Sequence, residues 1–456
     1  MQQETRQEAK LDPKLFSSKN KISVFSSMDE DIAQTYKNPA DAARAKRLLL
    51  EAREQSRRRR VVVTRKYNPL KKFVNLWRFR FKYGIHWRKK GYFFRILWNE
   101  GRGKLFSLLG MKKFILRGIE FAITFRCNFR CNHCLCARID ESGKRREMAP
   151  EDYARVVKEA MALGATTFGM EGGEPFIVKN WEEFIKAWQP MKNHIIITTN
   201  GYLVDEAKVK RAYDLGVDTI NFSLDSGYAE IHNVFRKKAN SFERVMDGIK
   251  WSKKHGIKVV VNTCVHKGNL YTEGFRELLE FSEREKVLLC TLFAKGTGNF
   301  HNKDVMLDAE DINAYHEIIK PYTFVTRHLN FNYGKQWGCP GTKEMINMTP
   351  YGDVMNCANM HIYMGNVMAE PLKVARERGL KETPFGRYHD CFLADDPDFM
   401  EIYYTKLEQQ GSMTIAEFRE ALDDYEKKTG RIIYPEISKL NKNSSARPSE
   451  VAKQRS

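Results

Sequence analysis

Between residues 118 and 332 the spacing of apolar and polar positions keeps changing period. Short apolar runs at 119–125, 166–170, 194–199, 218–224, 258–265, 288–294 and 325–331 read as strands. Between them, 150–163, 181–188, 205–215, 241–255, 272–285 and 309–320 repeat apolar residues at helical spacing. Strand–helix units in series predict an α/β fold with a parallel sheet and right-handed crossovers. About six such units form a partial (β/α)6 barrel, with ligands at the C-terminal ends of the strands.

The flanks have other textures. Residues 1–56 are polar and charged, which predicts a flexible region with one helix at 39–54, ended by the basic run at 57–60. In 57–117, Trp77, Phe79, Phe81 and Tyr83 alternate with Arg78, Arg80 and Lys82, a strand-like pattern. The stretch 93–116 reads as an amphipathic helix broken at Gly101 and Gly103. Residues 333–400, rich in Gly, Pro and Asn, predict a small Cys-containing extension. Residues 401–456 hold a charged helix at 413–428 and a Ser/Lys-rich tail expected to be disordered.

Charge sharpens this division. The net charge is +20, and residues 1–117, with 30 basic and 10 acidic residues, carry all of it. Within 57–117, 20 Lys and Arg face one acid, Glu100. The expected partner of this segment is anionic. Basic residues mixed with Trp, Tyr and Phe suit peripheral docking on an anionic membrane surface. Nucleic acid is the less favoured rival, through phosphate contacts and base stacking. A plainer alternative is that the aromatics pack the segment onto the barrel and its charges are solvated. The first ten residues lack a signal-peptide core, and no apolar run is long enough to span a bilayer. The expected location is the cytoplasm, peripheral at the inner face of the membrane if docked.

The nine Cys are not spaced like a disulfide scaffold. Cys127, Cys131 and Cys134 form a C-x3-C-x2-C set directly after the first core strand. Such a loop can wrap three thiolates around an iron–sulfur cubane and leave its fourth iron open. The alternative is a structural zinc site closed by Cys136 or His133. Cys136 otherwise reads as a spare thiol, and Cys264 and Cys290, in apolar runs, as core.

From 119 to about 297 the chain resembles the radical S-adenosylmethionine (SAM) superfamily, in its CxxxCxxC branch. Besides the Cys triplet, 170–175 reads M-E-G-G-E-P, 198–201 T-T-N-G, 221–225 N-F-S-L-D and 231–236 I-H-N-V-F-R, in the family's order. The resemblance implies a [4Fe–4S] cluster on Cys127, Cys131 and Cys134, with SAM chelating the open iron. It further implies that Gly172, Gly173 and Glu174 hold the SAM amino group and that Asn200 ends the third strand. Ser223 and Asp225 would contact the ribose, Arg236 the carboxylate, and His133 would lie near adenine. The implied activity is reductive SAM cleavage by an electron from a flavodoxin- or ferredoxin-type donor, then hydrogen abstraction by the deoxyadenosyl radical.

The stretch 338–357 resembles the start of a SPASM or twitch extension, with Cys339 and then G-x4-C ending at Cys357. M-G-N-V at 364–367 and a helix from Leu372 continue the likeness. It implies one auxiliary [4Fe–4S] cluster on Cys339, Cys357 and Cys391, with His389, substrate or an open position as the fourth site. The alternative is an extension that keeps its fold without a cluster. The motifs leave the substrate open: a lipid or lipid-linked molecule is favoured, ahead of a peptide or protein and of nucleic acid. A reading from another class is a non-catalytic zinc or membrane-binding module. The oligomeric state is not written in these patterns.

Overall fold

The computed structural model describes residues 22–63, 68–70, 74, 89–109, 114–136, 139, 143–301, 303–328, 339–385, 391, 396–407 and 412–431. The alternation expected at 77–83 and the tail from 438 lie outside the described residues. Seven strands stand side by side in chain order, all parallel: β1 (Gly118–Thr124), β2 (Thr167–Gly172), β3 (His194–Thr199), β4 (Thr219–Ser223), β5 (Lys258–Val265), β6 (Leu288–Phe293) and β7 (Val325–Arg327). β8 (Met345–Met348) adds in parallel to the outer edge of β1. β9 (Asp353–Met355) and β10 (Ile362–Asn366) follow as antiparallel neighbours, and β11 (Met413–Thr414) closes that side. The resulting 11-stranded sheet ends at β7 and β11 and stays open, as a partial α/β barrel does. The stretch expected as a separate unit from 333 onward thus extends the barrel sheet itself, through the pairing of Met345–Met348 with β1.

Helices α1 (Met28–Thr35), α2 (Pro39–Arg58) and α3 (Lys90–Leu108) precede β1. The crossovers are α4 (Pro150–Ala162), α5 (Trp181–Ala187), α6 (Glu206–Asp214), the pair α7 (Ala229–Arg236) and α8 (Ser241–Lys254), α9 (Glu273–Glu285) and α10 (Ala309–Ile319). Period-2 burial in β3 sends Ile195, Ile197 and Thr199 into the core. Under β1, Phe121 meets Tyr153 edge-on at 5.1 Å and Trp188 at 5.0 Å, which fastens α4 and α5 to the sheet.

Two expectations need correction. Residues 22–56 are docked, not loose. Ile32, Ala45 and Leu49 pack with Val234 of α7, while Asp31 accepts from Asn132 Nδ2 at 2.9 Å and pairs with Lys237 at 2.8 Å. The seam is a few apolar residues spaced among charges, so composition hides it. The run at 57–60 does end α2, four residues beyond 54: Arg58 pairs with Glu54 and Arg59 stops the helix at φ 45°. The Arg59 guanidinium then reaches Asp308 and Asp311, at 2.5 and 3.0 Å. In α3, Gly101 and Gly103 do not break the helix. A helical glycine costs only about 1 kcal/mol, and at Gly103 the missing side chain leaves room for Ile115, 3.4 Å from where a Cβ would stand. No helix among the described residues is long and apolar enough to cross a membrane.

Candidate functional site

β1 delivers the loop 125–136 across the C-terminal ends of the strands, and three neighbours hold it there. From the end of β2, Glu174 N–H donates to Arg126 O at 3.0 Å. At α7, Asn132 N–H donates to Phe235 O at 3.1 Å. After β6, Asn299 donates from its backbone to Cys134 O at 3.0 Å and from Nδ2 to Cys131 O at 2.9 Å. Gly298, at φ 60°, packs so close that a Cβ would stand 2.2 Å from Cys134 O. Gly298 and Asn299 were not singled out in the sequence. Their signal, a Gly-Asn pair at a strand end, is too common to stand out.

Gly172 and Gly173 are required by the same crowding. Gly172 has φ 124° and an added Cβ would lie 2.2 Å from Thr124 O; at Gly173 it would lie 2.1 Å from Arg126 O. The cavity beside this turn has a volume of ≈ 310 Å³ and is lined by Cys127, Cys131, Cys134, His133, Gly172, Gly173, Asn200, Ser223, Asp225 and Arg236. All ten residues of the triplet and cofactor set other than Glu174 share this lining. Glu174 is fully buried beside it, with its carboxylate committed to Phe176 N–H at 3.1 Å, Thr199 Oγ1 at 2.8 Å and Asn200 N–H at 2.8 Å. Burial pushes its pKa up to about 7. Its side chain thus ties the turn to the end of β3, while Asn200 Nδ2 in turn donates to Asn128 Oδ1 at 2.8 Å.

The electrostatic centre is the Asp225–Arg236 pair, 2.6 Å apart and buried. Burial by itself would raise the Asp225 pKa, but Arg236, the nearby His133 and His232, and Cys264 N–H bring it below the ordinary value. Arg236 Nη1 also stands 3.8 Å from Cys131 Sγ. Burial pushes the Cys131 thiol up to about 12 against the lowering effect of Arg236, and raises Cys127 as well. The three sulfurs are close enough to raise one another's pKa, so together as thiolates they need a cationic centre. Cys136 also faces the cavity; its thiol hydrogen-bonds with Cys134 and lies 3.4 Å from Gly172 O. His133 stacks on Phe235 at 4.8 Å, which in turn stacks on His266 at 5.4 Å. Burial lowers the His133 pKa to about 3, so the ring is neutral, and its buried Nδ1 has no hydrogen-bond partner among the described residues. Thr263 Oγ1, on the same wall, is likewise unpaired among them. Three thiols beside buried polar atoms awaiting a partner suit a cluster and a polar ligand. Among the described residues no three His, Cys, Asp or Glu side chains form a site for a single metal ion.

These strand-end loops fall in the span where the family model described as the radical SAM superfamily matches, residues 121–281. Residues 121–281 form a radical SAM domain. Proteins of this superfamily use a [4Fe–4S] cluster and SAM. A GTP 3',8-cyclase of Aliarcobacter butzleri is 30% identical over 201 residues, 43% of this chain and 61% of that one. Another, of Psychromonas ingrahamii, is 32% identical over 153 residues, 33% of this chain and 44% of that one. The matches therefore span about half the length of these relatives. Among solved structures, Streptococcus suis SuiB bound to S-adenosylmethionine is 17% identical with a TM-score of 0.48, covering 59% of this chain and 67% of that one. Native anSMEcpe with bound AdoMet is 15% identical with a TM-score of 0.47, covering 72% and 99%.

Outside the radical SAM domain, Cys339, Cys357 and Cys391 come together, near enough for each partner's charge to raise the Cys339 pKa after burial has done so. Cys357, raised to about 11 by burial, accepts Met360 N–H at 3.2 Å and opens onto the same cavity as the first triplet. His389 lies outside the described residues. Cys290 is in the core with Val260 and Leu288, as expected, whereas Cys264 reaches the cavity wall. Burial raises the Cys264 thiol to about 12, which keeps it protonated.

Proposed function

We propose that this chain is a radical SAM enzyme in which Cys127, Cys131 and Cys134 hold a [4Fe–4S] cluster with one iron left for SAM. The observation that carries this reading is the meeting of three thiols (Cys131 buried, Cys127 and Cys134 half-buried), the Gly172–Gly173 turn and the Asp225–Arg236 pair on one cavity. When bound, cluster and SAM supply one-electron cleavage of a sulfonium bond and hydrogen abstraction from an unactivated C–H. The residues do the rest. Gly172 and Gly173 let backbone approach the SAM amino group, and buried Glu174 keeps that turn and Asn200 in register. Asp225 and Ser223 receive the ribose, and Arg236 balances negative charge from both the thiolates and the SAM carboxylate. His133, neutral and stacked, offers Nδ1 to adenine. A small flavodoxin- or ferredoxin-type protein delivers the electron. Cys339, Cys357 and Cys391 hold a second cluster across the cavity, with its fourth position open or filled by His389 or substrate.

The finer reading is that the substrate is a lipid or a lipid-linked molecule met at a membrane surface. It is supported by the basic, aromatic character of 57–117 and by a cavity wall rich in Phe125, Phe129, Leu292, Phe293 and Met355. A triphosphate such as the GTP in the cyclases' name fits less well, since the wall offers Lys295 and an Arg236 already bound to Asp225. The test is anaerobic reconstitution followed by reduction with SAM present. Deoxyadenosine must form in the wild type and not in Cys131→Ala. With a deuterated lipid extract, label must enter deoxyadenosine; label arriving from peptides instead would replace the lipid reading.

A further inference from the structure

Helix α3 is mounted inside out. It runs beneath the N-terminal ends of β2, β3 and β4, and it is bound there by polar groups. Arg95 donates to Ala165 O at 2.6 Å and Lys192 O at 3.0 Å, and Asn99 donates to Gly164 O at 2.6 Å. Just before the helix, buried Lys89 donates to Asn193 O at 2.8 Å and Gly216 O at 2.7 Å and pairs with Asp218. Buried Tyr92 joins them, edge-on to His194 at 6.0 Å, but a stripe of apolar residues points the other way. Phe94 is 68% exposed, Leu97 53%, Trp98 71%, Leu105 52% and Leu108 84%. Their spacing puts them on one outward face, flanked by Phe93 and Leu109. A surface helix ordinarily turns its apolar stripe to the core, and an exposed stripe this continuous marks an interaction site.

We propose that this face of α3 docks on an anionic lipid bilayer, with the helix lying in the interfacial plane. The choice of partner follows from charge. The segment 57–117 has 20 basic residues against Glu100, and Glu100 is itself paired with Arg117 at 3.3 Å. Two copies joined through this face would oppose two such basic segments, whereas an anionic surface neutralises them. Leu97, Leu105 and Leu108 cannot stack on bases, so the face is unsuited to single-stranded nucleic acid. This inference builds on the membrane reading above and narrows it. The six residues of β2 separate α3 from the cavity end of the sheet, a distance of about 20 Å. A docked enzyme therefore keeps its cavity away from the bilayer. The substrate it favours is a polar or lipid-linked group standing clear of the surface rather than the middle of an acyl chain.

The test uses the full reconstituted chain and measures binding apart from turnover. Vesicles of phosphatidylcholine alone, and vesicles containing phosphatidylglycerol, are sedimented with wild type and with Phe94→Ala/Trp98→Ala. Wild type is expected to pellet only with the anionic vesicles and to be released by high salt. The double variant should partition about tenfold less or weaker still, while keeping its SAM-dependent deoxyadenosine formation. Equal pelleting of the two proteins, or none by wild type, overturns the proposal. So does a dimer in sedimentation velocity that the same substitutions dissolve. Binding is expected to persist in Cys131→Ala, which separates docking from the chemistry: a wild type that docks but forms no deoxyadenosine would sink the reaction reading alone.

Discussion

Replacing Arg236 by Met removes the only cation that touches Asp225 at hydrogen-bond distance among the described residues, and leaves a buried carboxylate held by Cys264 N–H at 3.0 Å. Breaking a buried pair from one side costs about 3–5 kcal/mol, because the remaining charge is uncompensated. The retained N–H puts the expectation at the lower end, about 3 kcal/mol. In wild type the folded Asp225 pKa is depressed, so its contribution is present above the unfolded value and lost as pH falls through the folded one. In the variant, burial is opposed only by Cys264 N–H and the two nearby His, and the folded pKa rises. The penalty is then largest near neutral pH and shrinks as acid protonates the lone carboxylate. Urea unfolding of wild type, Arg236→Met and Asp225→Asn/Arg236→Met at pH 7.5 and 5.5 reads this directly, since titrations common to all three cancel in the differences. The single variant should lose less at pH 5.5, and the double variant should recover about half of the loss or better at pH 7.5. A single variant within about 0.5 kcal/mol of wild type, or a loss independent of pH, would refute the view that this pair is the site's electrostatic centre.

Three further outcomes are expected. Gly298→Ala should lower the iron and sulfide taken up on reconstitution, because its Cβ would strike Cys134 O; Gly430→Ala, also at positive φ (68°) but in open space, should not. Glu171 and Glu120 both bond to the Asn347 amide, at 2.8 and 3.0 Å, and burial raises both carboxyls, Glu171 further through Glu120. A raised acid loses stability as pH climbs, so Glu171→Gln should raise the melting temperature at pH 8 and change it little at pH 5. Buried His232 and His266 are lowered to about 3 and 4; their contribution is whole above the unfolded value near 6.5 and is lost below it, at up to about 1.4 kcal/mol per pH unit each. Melting temperatures from pH 7 to 5 should therefore fall steadily in wild type, and a flat profile would contradict neutral burial of these rings.

The sheet was legible because each strand and crossover helix declares itself through short-range periodicity. The apolar run at 194–199 became β3 residue for residue, and the run at 258–265 became β5. The cavity residues were legible for a different reason: they follow strand ends, and strand ends in a parallel sheet gather at one face. Glu174 shows the limit of that logic. Its position in the chain is at the cavity, yet its carboxylate turns to Phe176 N–H in its own turn and to Thr199 and Asn200 at the end of β3, away from the wall. Which way a side chain points depends on hydrogen bonds made 25 residues away, and no local pattern encodes them.

The same limit explains the N-terminal region. Arg95, Asn99 and Lys89 look like solvated polar groups in the sequence, and Phe94, Leu97 and Trp98 look like core. The fold reverses both roles, because the carbonyls of Gly164, Ala165, Lys192, Asn193 and Gly216 sit where the loops beneath the sheet turn and take their donors from α3 and from Lys89 just before it. Once those donors are drawn inward, helix geometry alone forces the apolar residues out. The amphipathic pattern was therefore readable as a pattern, but its direction was not. That direction is what turns a packing helix into a surface awaiting a partner, and it places that surface at the end of the sheet opposite the thiols.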